Sequence, residues 1–151
     1  MKNQKYMEMA LKLAKKASVN GDVPVGAIIV DESGKIIGRG FNKKEKEQDP
    51  TQHAEIISIK KACKKIGNWR LINCTIYTTL EPCLMCVGAL LQTRIKHIVF
   101  ALKDIKFGCV DSLYNLTLDK RFNHRSDYTY SLNLDSKEML QSFFGEIRSL
   151  Q

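Results

Sequence analysis

Acidic residues are scarce in this chain: 16 Asp and Glu stand against 24 Lys and Arg among 151 residues, a formal net charge of +8. That imbalance points to a polyanionic partner, nucleic acid first and an anionic membrane surface second; a basic chain kept only for solubility is the bland alternative. Long hydrophobic runs are missing as well. The longest nearly uncharged stretch, Leu71 to Thr93, holds Glu81, Asn73, four threonines, Pro82 and Gln92. It reads as a strand, a loop and a helix of a packed interior and not as a membrane span. No apolar segment follows the charged start, where Glu8, Lys12, Lys15 and Lys16 interrupt, so no signal peptide is expected. The five cysteines (63, 74, 83, 86 and 109) are an odd number and include a single Cys-x-x-Cys. Reduced thiols or metal ligands are therefore expected in place of a disulfide framework, along with a cytoplasmic location. Linkers, repeats and low-complexity segments are absent. With 44% hydrophobic and 26% charged residues, collagen-like and disordered chains are excluded, and residues 1–151 are expected to form one domain.

Periodicity lays out the elements. Tyr6, Met9, Ala10, Leu13 and Ala17 recur at helical spacing, and Asn20-Gly21-Asp22 ends that helix. Val25–Val30 and Lys35–Phe41 are β-rich runs joined by Asp31-Glu32-Ser33-Gly34, the pattern of a hairpin. A charged loop, Lys43 to Asp49, follows. Thr51 is the expected N-cap of a helix that Gly67 stops. Cys74–Thr79 is a third strand, Pro82 opens a short helix through Leu91, and Lys96–Leu102 is a fourth strand. Residues 106–133 are the least legible, with Asp127 to Leu132 either a strand or an extended arm. Asp135 and Glu138 resemble a capping box before a last helix whose apolar face is Leu140, Phe143, Phe144 and Ile147. A hairpin followed by strand–helix–strand crossovers predicts a mixed sheet with helices on both faces, a three-layer α/β/α domain.

Two short segments carry the chemistry. His53-Ala54-Glu55 starts one expected helix and Pro82-Cys83-Leu84-Met85-Cys86 starts the next. Cysteines three apart on a helix are neighbours, about 5–6 Å apart at Cβ, and can hold one metal. The positive end of the helix dipole favours their thiolate form. A histidine and two thiolates suit zinc, and three protein ligands leave one tetrahedral position for water, whose pKa zinc can lower to roughly 7. Glu55 is placed to carry that water's proton without being a ligand. A structural zinc site would need a fourth donor, for which Cys63, Cys74, Cys109 and His97 are the candidates. A redox pair would need neither His53 nor Glu55. The conjunction H-x-E…P-C-x-x-C is that of the zinc nucleobase deaminases.

The chain resembles the bacterial tRNA adenosine deaminases of the cytidine-deaminase-like superfamily. The resemblance covers nearly its whole length and rests on Val23-Pro24-Val25-Gly26-Ala27, Asp49-Pro50-Thr51, His53-Ala54-Glu55-Ile56, Thr79 to Cys86, Phe122-Asn123-His124-Arg125 and Phe143-Phe144. It implies one zinc per chain on His53, Cys83 and Cys86, with Glu55 as proton shuttle. It implies substrate contacts from Asn42, Ala54, Asp104, Lys106 and Arg125. It also implies a homodimer whose RNA-binding surface comes from both subunits, with no membrane. The reaction implied is hydrolytic deamination of adenosine to inosine at the first anticodon position of tRNA, with release of ammonia. Asp111 departs from the pattern, standing where a small residue, usually glycine, is expected, and Ser131 to Ser136 fits it loosely. Three other readings stay open at this point: a deaminase of free bases or nucleotides, a deaminase acting on DNA, and a non-catalytic zinc module that binds RNA. Basic residues at 43, 44, 46, 120, 121 and 125 favour a polynucleotide, and Glu55 argues against the non-catalytic module.

Overall fold

The computed structural model describes residues 2–149, and the side chains of residues 3–145. In chain order the elements are α1 (Lys2–Val19), β1 (Gly26–Val30), β2 (Ile36–Phe41), α2 (Lys44–Glu47), α3 (Ala54–Ile66), β3 (Thr75–Thr78), α4 (Leu84–Gln92), β4 (His97–Phe100), a 3-10 turn (Leu116–Leu118), β5 (Asp127–Tyr130) and α5 (Leu134–Ser149). The sheet order is β2-β1-β3-β4-β5. β1 is antiparallel to both of its neighbours, while β3, β4 and β5 run parallel. Four strands, β2 to β5, therefore point the same way, and only β1 opposes them.

Alternation along the strands divides the interior into two layers. Ala27 and Ile29 of β1, Ile76 of β3, and Ile98 and Phe100 of β4 face α3 and α4, meeting Ala54, Ala62, Val87, Leu90 and Leu91. Ile28, Val30, Tyr77 and Val99 face the other way, toward Tyr6, Met7 and Ala10 of α1. α1 and α5 pack beside one another, completing the expected three layers. β1 is buried along its whole length because helices cover both of its faces. α3 lies hard against β2: a Cβ on Gly38 or Gly40 would run into the α3 backbone at Ser58 and Ala54. This close approach sets the height of the start of α3 above the sheet.

Several local expectations are corrected. The buried stripe of α1 is Tyr6, Met7, Ala10, Leu11, Ala14 and Ala17, leaving Met9 and Leu13 half-buried at its flank. The charged loop after β2 contains the helical turn α2. Thr51 does not cap α3; its hydroxyl donates to Asp49 Oδ1 at 2.7 Å, and the N-cap position is His53. Pro82 lies before the N-cap Cys83 and so stands outside α4. The start of α5 is held by Asn133, whose Oδ1 accepts the Ser136 N–H at 3.1 Å, in place of the Asp135–Glu138 box. The Ser136 hydroxyl donates to Thr79 O at 2.7 Å, pinning that helix start to the end of β3. Asp127–Tyr130 is a strand and not an arm. Gly67 ends α3 as expected, in the left-handed region at φ 68°. Beyond it, Trp69 is 52% exposed with the Arg70 guanidinium 4.1 Å over its ring. Phe143 is buried and Phe144 half-exposed; Ile147 lies outside the described side chains.

Candidate active site

The chemistry-bearing segments meet at one edge of the sheet. β2 ends at Phe41 and leads through Asn42 to α3; β3 ends at Thr78 and leads through Glu81 to α4; β4 ends at Phe100 and leads to Asp104. In open α/β sheets this edge, outside the carboxyl ends of the strands, is where ligands bind.

His53 and Cys83 are the N-cap residues of α3 and α4, yet neither side chain caps its helix. Both turn into the space between the helices. His53 Nδ1 lies 3.6 Å from Cys83 Sγ and 3.6 Å from Cys86 Sγ, and the three donor atoms all fall within 4.8 Å of one another. The residues fit zinc on geometry. With Zn–S near 2.3 Å and Zn–N near 2.0–2.1 Å, tetrahedral angles put nitrogen and sulfur about 3.5 Å apart. They also fit on charge, since both cysteine sulfurs lie at the start of α4, where thiolates are favoured. The Cys83 thiol is pushed down to about 4, first by the Cys86 thiol donating to it and then, against burial, by His53 and the Cys86 backbone. Cys86 is pushed up, because it donates that hydrogen bond and is buried. The Cys83 hydrogen bond raises His53, with burial opposing. His97, a possible fourth ligand by sequence, is instead engaged with Thr129 Oγ1 at 2.7 Å.

Glu55, in the first turn of α3, is only 4% exposed, and its Oε1 is buried with no hydrogen-bond partner among the described residues. Burial raises it to about 7, with His53 pulling down and Cys83 pushing up. An unpartnered buried carboxylate oxygen is costly unless something else occupies that space, and a proton acceptor poised near neutrality suits acid–base work.

The remaining candidates divide. Asn42 Oδ1 accepts the Ala54 N–H at 2.8 Å and its Nδ2 donates to Val23 O at 3.1 Å, so Asn42 takes the capping role that His53 leaves open. Ala54 is fully buried and its N–H is the group so engaged. Asp104 Oδ1 accepts the N–H groups of Lys106 and Phe107, folding its loop into a tight turn that leaves Lys106 exposed. These residues gather at the same edge as His53, Cys83 and Cys86. Arg125 does not. It precedes β5, and the parallel crossover returns the chain to the opposite edge, where Asp127 N–H donates to Lys96 O and His124 pairs with Ile95 O. Its Nη1 folds back onto Lys120 O and Phe122 O. The Asp111 departure is absorbed: its carboxylate pairs with Lys103 at 2.9 Å and accepts the Tyr128 hydroxyl at 2.9 Å. Its φ is not positive, so nothing there demands glycine.

Two buried carboxylates went unread in the sequence. Asp22 Oδ1 accepts the Glu45 N–H at 2.7 Å and its Oδ2 accepts the Lys46 N–H at 3.3 Å, holding the start of α2. Glu81 accepts hydrogen bonds from the loop after β4. An isolated acid inside an otherwise uncharged stretch was the available signal.

Residues 1–148 match the family model of the MafB19-like deaminases. The chain is 44% identical over 147 residues to the tRNA-specific adenosine deaminase of Haemophilus influenzae, covering 97% of this chain and 85% of that protein. The chain belongs to the tRNA-specific adenosine deaminase family. A structure solved in a study of A-to-I editing by tRNA:A34 deaminases at the wobble position of transfer RNA superposes with a TM-score of 0.86, at 36% identity, over 91% of this chain and 99% of that one. A guanine deaminase from Bacillus subtilis is also similar, at TM-score 0.64 and 34% identity over 96% of this chain and 93% of that one.

Proposed function

We propose that this chain is a zinc-dependent enzyme that deaminates adenosine to inosine at the wobble position of tRNA, consuming water and releasing ammonia. One observation carries the reading: His53, Cys83 and Cys86 present three donor atoms at zinc spacing beside the buried, unpartnered oxygen of Glu55. His53, Cys83 and Cys86 would hold one zinc, which when bound supplies Lewis acidity and a more acidic water. Glu55 does the proton work. It accepts a proton as water adds at C6 of the adenine, delivers it to ring N1, and carries the second proton to the departing amino group. α3 and α4 hold the three donors in place through Asn42 and the buried faces of the two helices. Lys106, Asp104, Asn42 and Ala54 line the edge through which a base splayed from an anticodon loop would enter, and lysines of the α2 turn add phosphate contacts.

The chain would work as a cytoplasmic homodimer. The outer face of α4 leaves Leu84 64% exposed, and Phe122 is 45% exposed beside it across a shallow 170 Å³ hollow. A second copy on that face would cover apolar surface and offer its own Arg125, which the single chain keeps at the far edge, to its partner's RNA.

The test is to incubate the pure protein with bulk tRNA, digest it, and look for inosine by mass spectrometry. Inosine at the first anticodon position is expected. Ammonia released from guanine in place of inosine in tRNA would transfer the reading to a base deaminase, the activity named for the similar Bacillus subtilis protein.

A further inference from the structure

Glu81 has no part in the proposed proton chemistry, yet the residue is only 2% exposed and its carboxylate accepts five hydrogen bonds. Oε1 receives the Asp104 N–H at 3.1 Å and the Ser112 hydroxyl. Oε2 receives three successive backbone N–H groups, from Val110 at 3.1 Å, Asp111 at 2.8 Å and Ser112 at 2.9 Å. Among the described residues no lysine or arginine hydrogen-bonds to it. A buried charge without a cation must be met by hydrogen bonds, and consecutive N–H groups curled round an anion are the backbone arrangement that does so.

All five donors belong to the loop that carries Asp104 and Lys106. The same loop is stitched to this segment by two further backbone hydrogen bonds, the second of them within an isolated bridge. The Glu81 N–H donates to Leu102 O at 2.8 Å, the Cys109 N–H donates to Pro82 O at 3.0 Å, and Cys83 pairs with Gly108 as an antiparallel bridge. Gly108 has no room for a side chain, because a Cβ there would strike the Glu81 carboxyl group. Glu81 is thus two residues from a zinc donor along the chain and bonded through space to the opposite wall of the mouth.

We propose that Glu81 is a positioning residue: it clamps the 104–112 loop at a fixed height over the Cys83–Cys86 segment and thereby sets the affinity for the RNA substrate. The affinity half of this rests on the function proposed above; the clamp itself does not. Glu81→Gln is the informative change. The amide keeps the size but turns N–H bonds toward N–H donors, so part of the set is lost and part becomes repulsive. The loop then loses its side-chain anchor and keeps only its backbone bonds to Glu81 and Pro82, while α3 and α4, at whose starts His53, Cys83 and Cys86 stand, remain in place.

The experiment uses the zinc-loaded full chain and has two readouts. Hydrogen exchange followed by mass spectrometry should show faster exchange in peptides spanning 104–112 of Glu81→Gln, with the 53–66 and 84–92 helices unchanged. Kinetics on an anticodon hairpin should show KM raised about tenfold with kcat changed much less, as expected when binding interactions alone are removed. A merely structural role would lower kcat in step with the folded fraction and leave KM alone, which overturns the proposal, as does unchanged exchange in 104–112. If Glu81→Gln yields no folded protein, Ser112→Ala removes only the hydroxyl donor and should move both readouts the same way by a smaller amount; no movement in either overturns the clamp. If the unaltered protein fails to deaminate the hairpin, the function proposed above falls, and the exchange comparison still decides the clamp.

Discussion

The inner wall of the site and its rim are built by different means. On the inner wall, His53, Glu55, Cys83 and Cys86 stand at the starts of two helices whose faces are buried against the sheet, so their positions are inherited from the core. The rim residues ride on loops: Lys44 and Lys46 in the α2 turn, Asp104 and Lys106 after β4. The α2 turn buries no side chain, and the 104–112 loop after β4 reaches the core only through Cys109 and Val110, beyond Lys106. Each is held by one buried carboxylate accepting backbone N–H groups, Asp22 for the first and Glu81 for the second. Packing thus fixes the groups that the proposed reaction uses, where small displacements are expensive. Hydrogen bonds to backbone fix the groups proposed to recognise substrate, and these leave the loop's side chains free to differ. Changing side chains on the rim should alter what binds, and changing the wall should alter whether anything reacts.

The largest separation between the two regions should come from Glu55→Ala. Turnover is expected to fall by roughly a hundredfold to ten-thousandfold or more, the usual worth of a proton carrier, with zinc content and the thermal transition nearly unchanged. Loss of zinc in that variant would make Glu55 a ligand and merge the two regions.

The rim comes next. A hairpin with adenosine in its loop should be deaminated far faster than free adenosine or the same sequence closed into a duplex, because an unpaired base is surrendered with little unstacking. Lys106→Ala should weaken hairpin binding, and the slope of log K against log salt should flatten by about one. A salt-independent KM for the unaltered protein would show that phosphate contacts contribute nothing.

A smaller effect is expected of Asp111→Gly, which restores the residue expected of the family. It removes the Lys103 pair and the Tyr128 hydrogen bond and loosens the unfolded chain, so stability should drop by about 1 kcal/mol. The Glu81 clamp uses only the backbone N–H at this position, so hairpin KM should stay within about twofold. A large KM change would assign Asp111 itself to the rim.

No change in zinc is expected when Cys63, Cys74 and Cys109 all become serine. These thiols turn to backbone carbonyls, Cys63 to Trp69 O, Cys74 to Ile72 O and Cys109 to Phe107 O, and none joins the group formed by His53, Cys83 and Cys86. Metal analysis of the folded variant should still find close to one zinc per chain; its loss would overturn the ligand assignment.

The difference between wall and rim also explains what the sequence made legible. Zinc donors at helix starts obey short spacings, so His53-x-Glu55 and Pro82-Cys83-x-x-Cys86 could be read directly, and alternation located four of the five strands. The caps were misread because Thr51 and Asp135 have the right chemistry, whereas Asn42 and Asn133 have the right positions, and position follows from the path of the chain. Glu81 stayed silent because four of its five partners are backbone groups, all of them 23 to 31 residues away, and a backbone N–H carries no residue identity. Arg125 was placed with Lys106 because both follow β4; the crossover into β5, in the least legible stretch, carries it to the other edge.

That other edge also holds the chain's single tryptophan. Trp69 lies in the connection entering β3, half in solvent under the Arg70 guanidinium, across the sheet from the zinc donors. Its emission is therefore an optical probe placed away from the catalytic groups. It will follow unfolding, when the stacked guanidinium is lost, and will stay dark to a base entering the pocket. A spectral shift on adding RNA would mean that nucleic acid reaches this far edge, either wrapped round the molecule or bound at the site of a second copy.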